Sequence, residues 1–378
     1  SQLWADLAGV FGGHITAGAL DLAAPLGLTY FTFQSLGYVF DVYRGRQKAV
    51  LNPVHYALFV SFFPCIFTGP IERAGHLIPQ FSTPAPFSYS RMAGGAFRML
   101  WGYFKKMVLA DGLGVFVSAV FAAPEKAAGP YLLAASLLFS CQLYLDFSGC
   151  CDVAIGGARI LGFDLTENFQ RPFAATNYSD LWRRWHISLS SWFRDYVYIP
   201  MGGNRCAWWR QALNLIVTFL ASGLWHGAGL TYLVWGGLHG LCQAAENHLP
   251  PRRPGKLRHA LRVAGTFCIL AGAFVIFRAS SLANAAELFK GILCNGGHAV
   301  FSNYWELGLT SLQEEILLYA GIAILLAVDA AHERGVSLRT KIAALPTPAR
   351  WAVYEVCIFV FLFMGRFLGG GSFLYARY

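Results

Sequence analysis

Uncharged apolar runs, separated by short basic and proline-rich segments, dominate the chain, and their lengths set the first prediction. A helix that crosses about 30 Å of hydrocarbon needs roughly 20 mostly apolar residues. Residues 56–71 carry no charge, residues 127–145 form a clean apolar run, and residues 263–277 lie between Arg262 and Arg278. Residues 316–328 and 351–365 close the pattern, the latter interrupted by Glu355. The stretch 211–245 holds no charged side chain at all. At about 1.5 Å per residue it is too long for one upright helix. Gly223, Gly227 and Gly229 predict that it breaks into two.

Other apolar segments are punctuated by charge. Residues 20–40 carry Asp21 and Pro25, residues 107–123 carry Asp111, and residues 147–161 hold Asp152 and Arg159. Ionisable groups are costly at mid-bilayer and face protein or a water-filled cavity. The pattern therefore predicts an all-α polytopic membrane protein, one transmembrane domain over residues 1–378, with tilted, short or re-entrant helices around a polar interior. Basic connections follow the apolar runs: Arg44, Arg46 and Lys48; PPRRPGKLR at 250–258; and Arg334, Arg339, Lys341 and Arg350. These are cytoplasmic candidates by the positive-inside rule.

Composition narrows the class further. Hydrophobic residues make up 56% and charged residues 13% of the chain, against about 25% charged in soluble proteins. Aromatics reach 16%, and the mean hydropathy is +0.46. Disorder, a coiled coil and an ordinary cytosolic enzyme are excluded. A net charge of +9 would point to nucleic acid in a soluble protein. Here it reads as flanking Lys and Arg that fix orientation and meet anionic membrane lipid, with no nucleic-acid partner. None of the nine cysteines forms a CxxC pair, so no disulfide framework, metal site or bound cofactor is expected. The chain opens at Ser1 with neither Met nor a signal peptide, and a further N-terminal piece is expected ahead of it.

Ten histidines remain to be sorted. His248, His259 and His332 sit beside loop charges, and His14, His55, His76 and His298 lie in weakly patterned ground. His226, in SGLWHGAG, stands where the glycines end an apolar stretch. Its charged form would be costly there, so a neutral imidazole suited to general-base work is one reading. A histidine that merely bonds a neighbouring helix is the other. His186 lies in SDLWRRWHISLSSWFRDYVYIPMGGNR, residues 179–205. Trp182, Trp185 and Trp192 suit an interfacial amphipathic anchor. A re-entrant wall that carries His186 to the cavity of His226 fits the same residues equally. Asp180 precedes Arg183 and Arg184 at helical spacing and predicts a local pair. His239, 13 residues beyond His226, is more than three helical turns away and reads as structural.

A last polar cluster spans residues 143–173. Asp152 and Arg159, seven apart, share a helical face and predict a structural ion pair, whereas Asp146 and Asp152 do not share one. Glu167, Asn168, Arg171 and Pro172 read as a loop. No phosphate-binding loop, dinucleotide fingerprint, zincin helix or nucleophile elbow is present, and the glycine-rich GGHITAG and LGGGS lack the context to mean much.

Together these residues resemble a known family. LYLDFSG and the run DVAIGGARILGFDLTENFQRPFAATNYSDLWRRWHISLSSWFRDYVYIPMGGNR look like one signature of the membrane-bound O-acyltransferases, and SGLWHGAGLTYLVWGGLHG looks like the second. PLGLTYFTFQSLGYVFDVYRG, FPCIFTGPIER, GYFKKMVLAD, VIFRASSLANA and the tail FLYARY follow in collinear order, so the resemblance covers essentially the whole chain. It is closest to the bacterial branch that acylates polysaccharides. One departure is Cys150-Cys151, where relatives tend to have Tyr-Ser before the Asp.

The resemblance implies a helical bundle around a tunnel, with acyl thioester entering from the cytoplasm and an acceptor from the other side. It makes His226 the catalytic histidine and His186 its nearby second, orienting or polarising the substrates or facing charge on the oxyanion. Arg183, Arg184, Asn204, Arg205, Trp225 and Asp146 become candidate substrate contacts. Acetyl-CoA is the implied donor. A periplasmic acetyl-transfer protein and a polysaccharide synthase complex are the implied partners, and the bacterial inner membrane is the implied location. A transporter or flippase, or a non-catalytic scaffold of such a complex, are the alternatives from other classes.

Overall fold

The structure, a computed structural model, describes residues 27–66, 68–83, 85–247, 255–295, 312–336 and 338–365. His14, His248, His298, GGHITAG, LGGGS, FLYARY and much of the basic 250–258 loop lie outside the described residues, as do Asp21 and Pro25.

Every regular element among the described residues is helical. In chain order they are α1 (Leu28–Tyr43), α2 (Pro53–Val60), α3 (Phe63–Ile66), α4 (Ala74–Ser82), α5 (Tyr89–Tyr103), a π-helical segment (Phe104–Ala110) and α6 (Asp111–Ala122). Then come α7 (Gly129–Ile160), α8 (Tyr178–Arg184), α9 (Ile187–Phe193), a second π-helical segment (Arg194–Tyr198), α10 (Trp208–His226) and α11 (Leu230–Glu246). The series ends with α12 (Lys256–Arg278), α13 (Leu282–Cys294), α14 (Leu312–Glu333), α15 (Leu338–Ala343) and α16 (Thr347–Met364). Short 3₁₀ turns sit at Pro124–Lys126 and Pro172–Ala174. Among the described residues three helices, α7, α12 and α16, are long and apolar enough to cross a membrane.

The central element is α7, 32 residues long, and it corrects the sequence reading that split it into 127–145 and 147–161. The charges that suggested a break are neutralised by neighbours. Lys106 pairs with Asp146, and Lys105 and Arg98 hold Asp152 at 2.7 and 2.8 Å. With its carboxylates satisfied and no proline beyond the first turn, the helix runs on. Asp152 therefore pairs with Arg98 and Lys105 rather than with Arg159 as predicted. Both lysines sit on the π-helical segment, whose wider turn serves two carboxylates on α7 with two consecutive residues. Residues 56–71 also depart from expectation: α2 ends before Ser61, and α3 is one turn beginning at Phe63. Pro64 is tolerated only at the start of a helix, so this apolar run cannot continue as one span. Residues 211–245 break into α10 and α11 at the predicted glycines.

The main core surrounds α7. Phe139, Leu143 and Phe147 of α7 meet Trp185, Trp235 of α11, and Phe274 and Phe277 of α12. That aromatic packing places α7, α11, α12 and the α8–α9 junction around one point.

Candidate active site: two histidines at one cavity

His226 is the last residue of α10, and Gly227 leaves the helix in an extended conformation (φ 168°, ψ 165°). Its position follows from the close approach of α10 to α11. A Cβ on Gly223 would strike the carbonyl oxygen of Tyr232, and one on Gly236 that of Phe219. Small residues let helix backbones approach this closely. The imidazole is buried, edge-on to Trp235 at 5.1 Å and to Phe277 at 5.0 Å.

His186 arrives from the other direction, at the turn between α8 and α9. Its backbone is left-handed (φ 43°, ψ 54°), one of two such non-glycine residues among those described. That geometry costs a non-glycine residue free energy and persists only where surrounding contacts impose it. The contacts come from Asn168. Its carbonyl accepts from the Ile187 N–H at 2.9 Å, and its side-chain Oδ1 lies 3.2 Å from His186 Nδ1. Phe147 stands edge-on to the ring at 4.7 Å.

Separated by forty residues in sequence, the two histidines line one cavity of ≈ 10 Å³, together with Ser222, Trp182, Trp185, Trp235 and Phe277. That volume holds roughly one water-sized group. Trp182, Leu189 and Ser222 also line a second cavity of ≈ 550 Å³, so the two cavities share these wall residues. The larger cavity follows α10 from Ser222 out to Gln211, about 16 Å of helix at 1.5 Å per residue. Arg183 and Arg194 line it with hydroxyls and amides, and among the described residues no carboxylate does, although Arg194 pairs with the neighbouring Asp195 at 2.9 Å. A third cavity of ≈ 780 Å³ approaches from another side and reaches Asn168, the residue against His186. Its lining mixes Arg98, Lys105, Arg159 and Arg171 with Asp152, Glu167 and Asp329.

The remaining sequence candidates separate. Arg183 and Asn204 line the ≈ 550 Å³ cavity. Trp225 packs against both histidines, its ring 4.4 Å from that of His226 and 6.1 Å from that of His186. Arg184 makes the predicted local pair with Asp180 at 2.9 Å and also holds Glu333 at 2.9 Å, so its charge is spent on structure. Asp146 is likewise engaged by Lys106, and Arg205 is exposed. Arg184, Asp146 and Arg205 line none of these three cavities. His239 is fully buried among Tyr178, Trp182, Phe219 and Trp235, and neither ring nitrogen has a hydrogen-bond partner among the described residues. The residue that sequence reasoning passed over is Asn168, read only as part of a loop. Nothing in local periodicity could have singled it out, because its partners lie 17 to 20 positions away.

Known proteins resemble this chain over most of its length. The family model for the membrane-bound O-acyltransferases matches residues 47–254, which include both histidines. The chain belongs to the membrane-bound O-acyltransferase family. It is 37% identical over 300 residues to a probable alginate O-acetylase of Pseudomonas aeruginosa, covering 79% of this chain and 57% of that protein. Against a peptidoglycan O-acetyltransferase of Helicobacter pylori it is 37% identical over 306 residues, 72% of this chain and 58% of the relative. Against a teichoic acid D-alanyltransferase of Bacillus subtilis it is 30% identical over 246 residues, 60% of each. The chain thus spans about three fifths of the length of these curated relatives. As a member of this family it is a membrane protein.

Proposed function

We propose that this chain is the transmembrane core of an O-acyltransferase that takes acetyl from cytoplasmic acetyl-CoA and passes it to a hydroxyl outside the cytoplasm, for O-acetylation of an exopolysaccharide. The observation that carries this reading is the chamber shared by His186 and His226, which shares Trp182, Leu189 and Ser222 with a larger cavity long enough for a pantetheine arm. Arg183 and Arg194 offer guanidinium groups to the donor's phosphates. Arg205 and Arg210, next in sequence to lining residues, add positive charge at that end, which suits the cytoplasmic face of a multi-pass bacterial inner-membrane protein. His226 acts as general base and removes the proton from the acceptor hydroxyl as its oxygen attacks the thioester carbonyl. The C–O bond forms, the C–S bond breaks, and the imidazolium returns the proton to the leaving thiolate as free CoA–SH. His186, in the same chamber, orients the reactants. The hydroxyl belongs to a periplasmic transfer protein working with a polysaccharide synthase.

Changing His226 to Gln is expected to lower acetyl transfer by on the order of 10²–10⁴-fold, with membrane insertion and thermal unfolding unchanged. The measurement is free thiol released from acetyl-CoA by purified protein with an acceptor present. Wild-type protein that moves acetylated carrier without releasing thiol would identify a transporter. Polymer acetylation that survives loss of both histidines would identify a scaffold.

A further inference from the structure

Asn168 is 1% exposed, and every polar direction around it is fixed by two groups that can only donate. The backbone N–H of Ser188 points at Asn168 Oδ1 at 3.1 Å, so that atom is the amide oxygen. The backbone N–H of Ile71 donates to Ser188 Oγ at 3.0 Å, and the Ser188 hydroxyl hydrogen goes on to Asn168 Oδ1 at 2.9 Å. On its other side the Asn168 amide NH₂ donates to Cys151 Sγ at 3.3 Å, and the Cys151 thiol donates to the Thr68 carbonyl at 3.0 Å. An oxygen that already accepts from Ser188 can only accept from His186 as well. Nδ1 of His186, 3.2 Å away, must therefore carry the proton.

We propose that Asn168 is a positioning residue that holds His186 as its Nδ1–H tautomer, so that Nε2 meets the chamber as a hydrogen-bond acceptor. A neutral imidazole has one donor and one acceptor nitrogen, and the donor is spent on Asn168. His186 therefore does not polarise the thioester carbonyl, which would need a donor; the proton of the incoming hydroxyl goes to His226, and His186 lines the chamber as an acceptor. This deepens the acyl-transfer reading and rests on it for the identity of the hydroxyl. Asn168 also fixes the strained turn itself, since its backbone carbonyl holds the Ile187 N–H at 2.9 Å. Glu72 in turn accepts from the Thr166 N–H and secures the segment that carries Asn168. The cysteine that departs from the usual family pattern, Cys151, serves here as acceptor for the Asn168 amide.

The test is ¹⁵N NMR of full-length protein labelled at histidine, with the His186 signals identified by their loss in His186→Gln. Wild type is expected to show a protonated Nδ1 and an unprotonated Nε2 at His186. Asn168→Asp, which keeps the acceptor oxygen, is expected to preserve that pattern and retain acetyl transfer within about tenfold. Asn168→Leu is expected to mix the tautomers and to lower kcat by on the order of 10²–10⁴-fold. A protonated Nε2 in folded wild type would overturn the proposal whatever the activity. So would an Asp variant as impaired as the Leu variant in both tautomer and rate. If wild type shows the Nδ1–H form but no protein transfers acetyl, the acyl-transfer reading fails while the tautomer assignment stands.

Discussion

At the residue scale, the segment that carries Asn168 rests on a buried carboxylate with a matched partner on each oxygen. Glu72 is 1% exposed, and a buried carboxylate needs compensation. It has the Thr166 N–H on one oxygen and His76 Nδ1 at 2.7 Å on the other. The hydrogen bond to Glu72 raises His76 above its ordinary pKa. A group with a raised folded pKa contributes stability that is complete below its unfolded pKa of about 6.5 and is lost as pH climbs through the folded value. His76 is about half exposed, so solvent screening keeps the effect small. Thermal unfolding of wild type should therefore exceed that of His76→Gln below pH ~6.5, and the gap should close as pH rises above it. A gap that widens with pH would remove the His76–Glu72 contact from the account of stability.

The element scale is governed by how closely α10 and α11 approach. His226 stays at its post because α10 is pressed against α11 at Gly223 and Gly236, leaving no room for a methyl group at either. At Gly237, one residue on, a Cβ would meet only Leu220 Cδ2 at an ordinary 3.6 Å. Gly236→Ala is thus expected to destabilise the protein by about 1–3 kcal/mol through overpacking, and to impair acyl transfer by pushing the helix end that carries His226. Gly237→Ala should be near neutral. Thermal unfolding and thiol release on the pair check this, and equal behaviour of the two variants would show that the hairpin is looser than its geometry. The π-helical segment of Lys105 and Lys106 is the second device at this scale. It lets α7 keep two buried carboxylates within one uninterrupted helix.

For the whole molecule, the decisive feature is a chamber for one small group set beside a wide cavity. Trp182, Leu189 and Ser222 line both the ≈ 550 Å³ cavity and the ≈ 10 Å³ chamber. A chamber of that size takes a short acyl group beside the histidines and resists a longer one, since close-packed walls do not yield cheaply. Leu189, 4% exposed, is the shared wall residue most easily shortened. Leu189→Ala should cost stability, about 2–5 kcal/mol, but raise the ratio of propionyl to acetyl transfer. That ratio, measured with the two thioesters in competition, is independent of how much protein folds. An unchanged ratio would mean that acyl length is read elsewhere.

The amino-acid sequence by itself determined the all-α membrane character, the break of 211–245 at its glycines and the standing of His186 and His226 as the residues to watch. Each of these depends on neighbours along the chain: apolar length, helix-breaking glycine, or a motif of contiguous residues. The tertiary structure alone decided that Asp152 answers to Arg98 and Lys105, that Arg184 also holds Glu333 and Lys106 holds Asp146, and that Asn168 lies against His186. Those pairings join positions 18 to 149 residues apart, and local periodicity carries no information about which distant donor meets which acceptor. That is settled only when aromatic packing around α7 brings α11, α12 and the α8–α9 junction to one point and most buried polar groups find partners from distant parts of the chain.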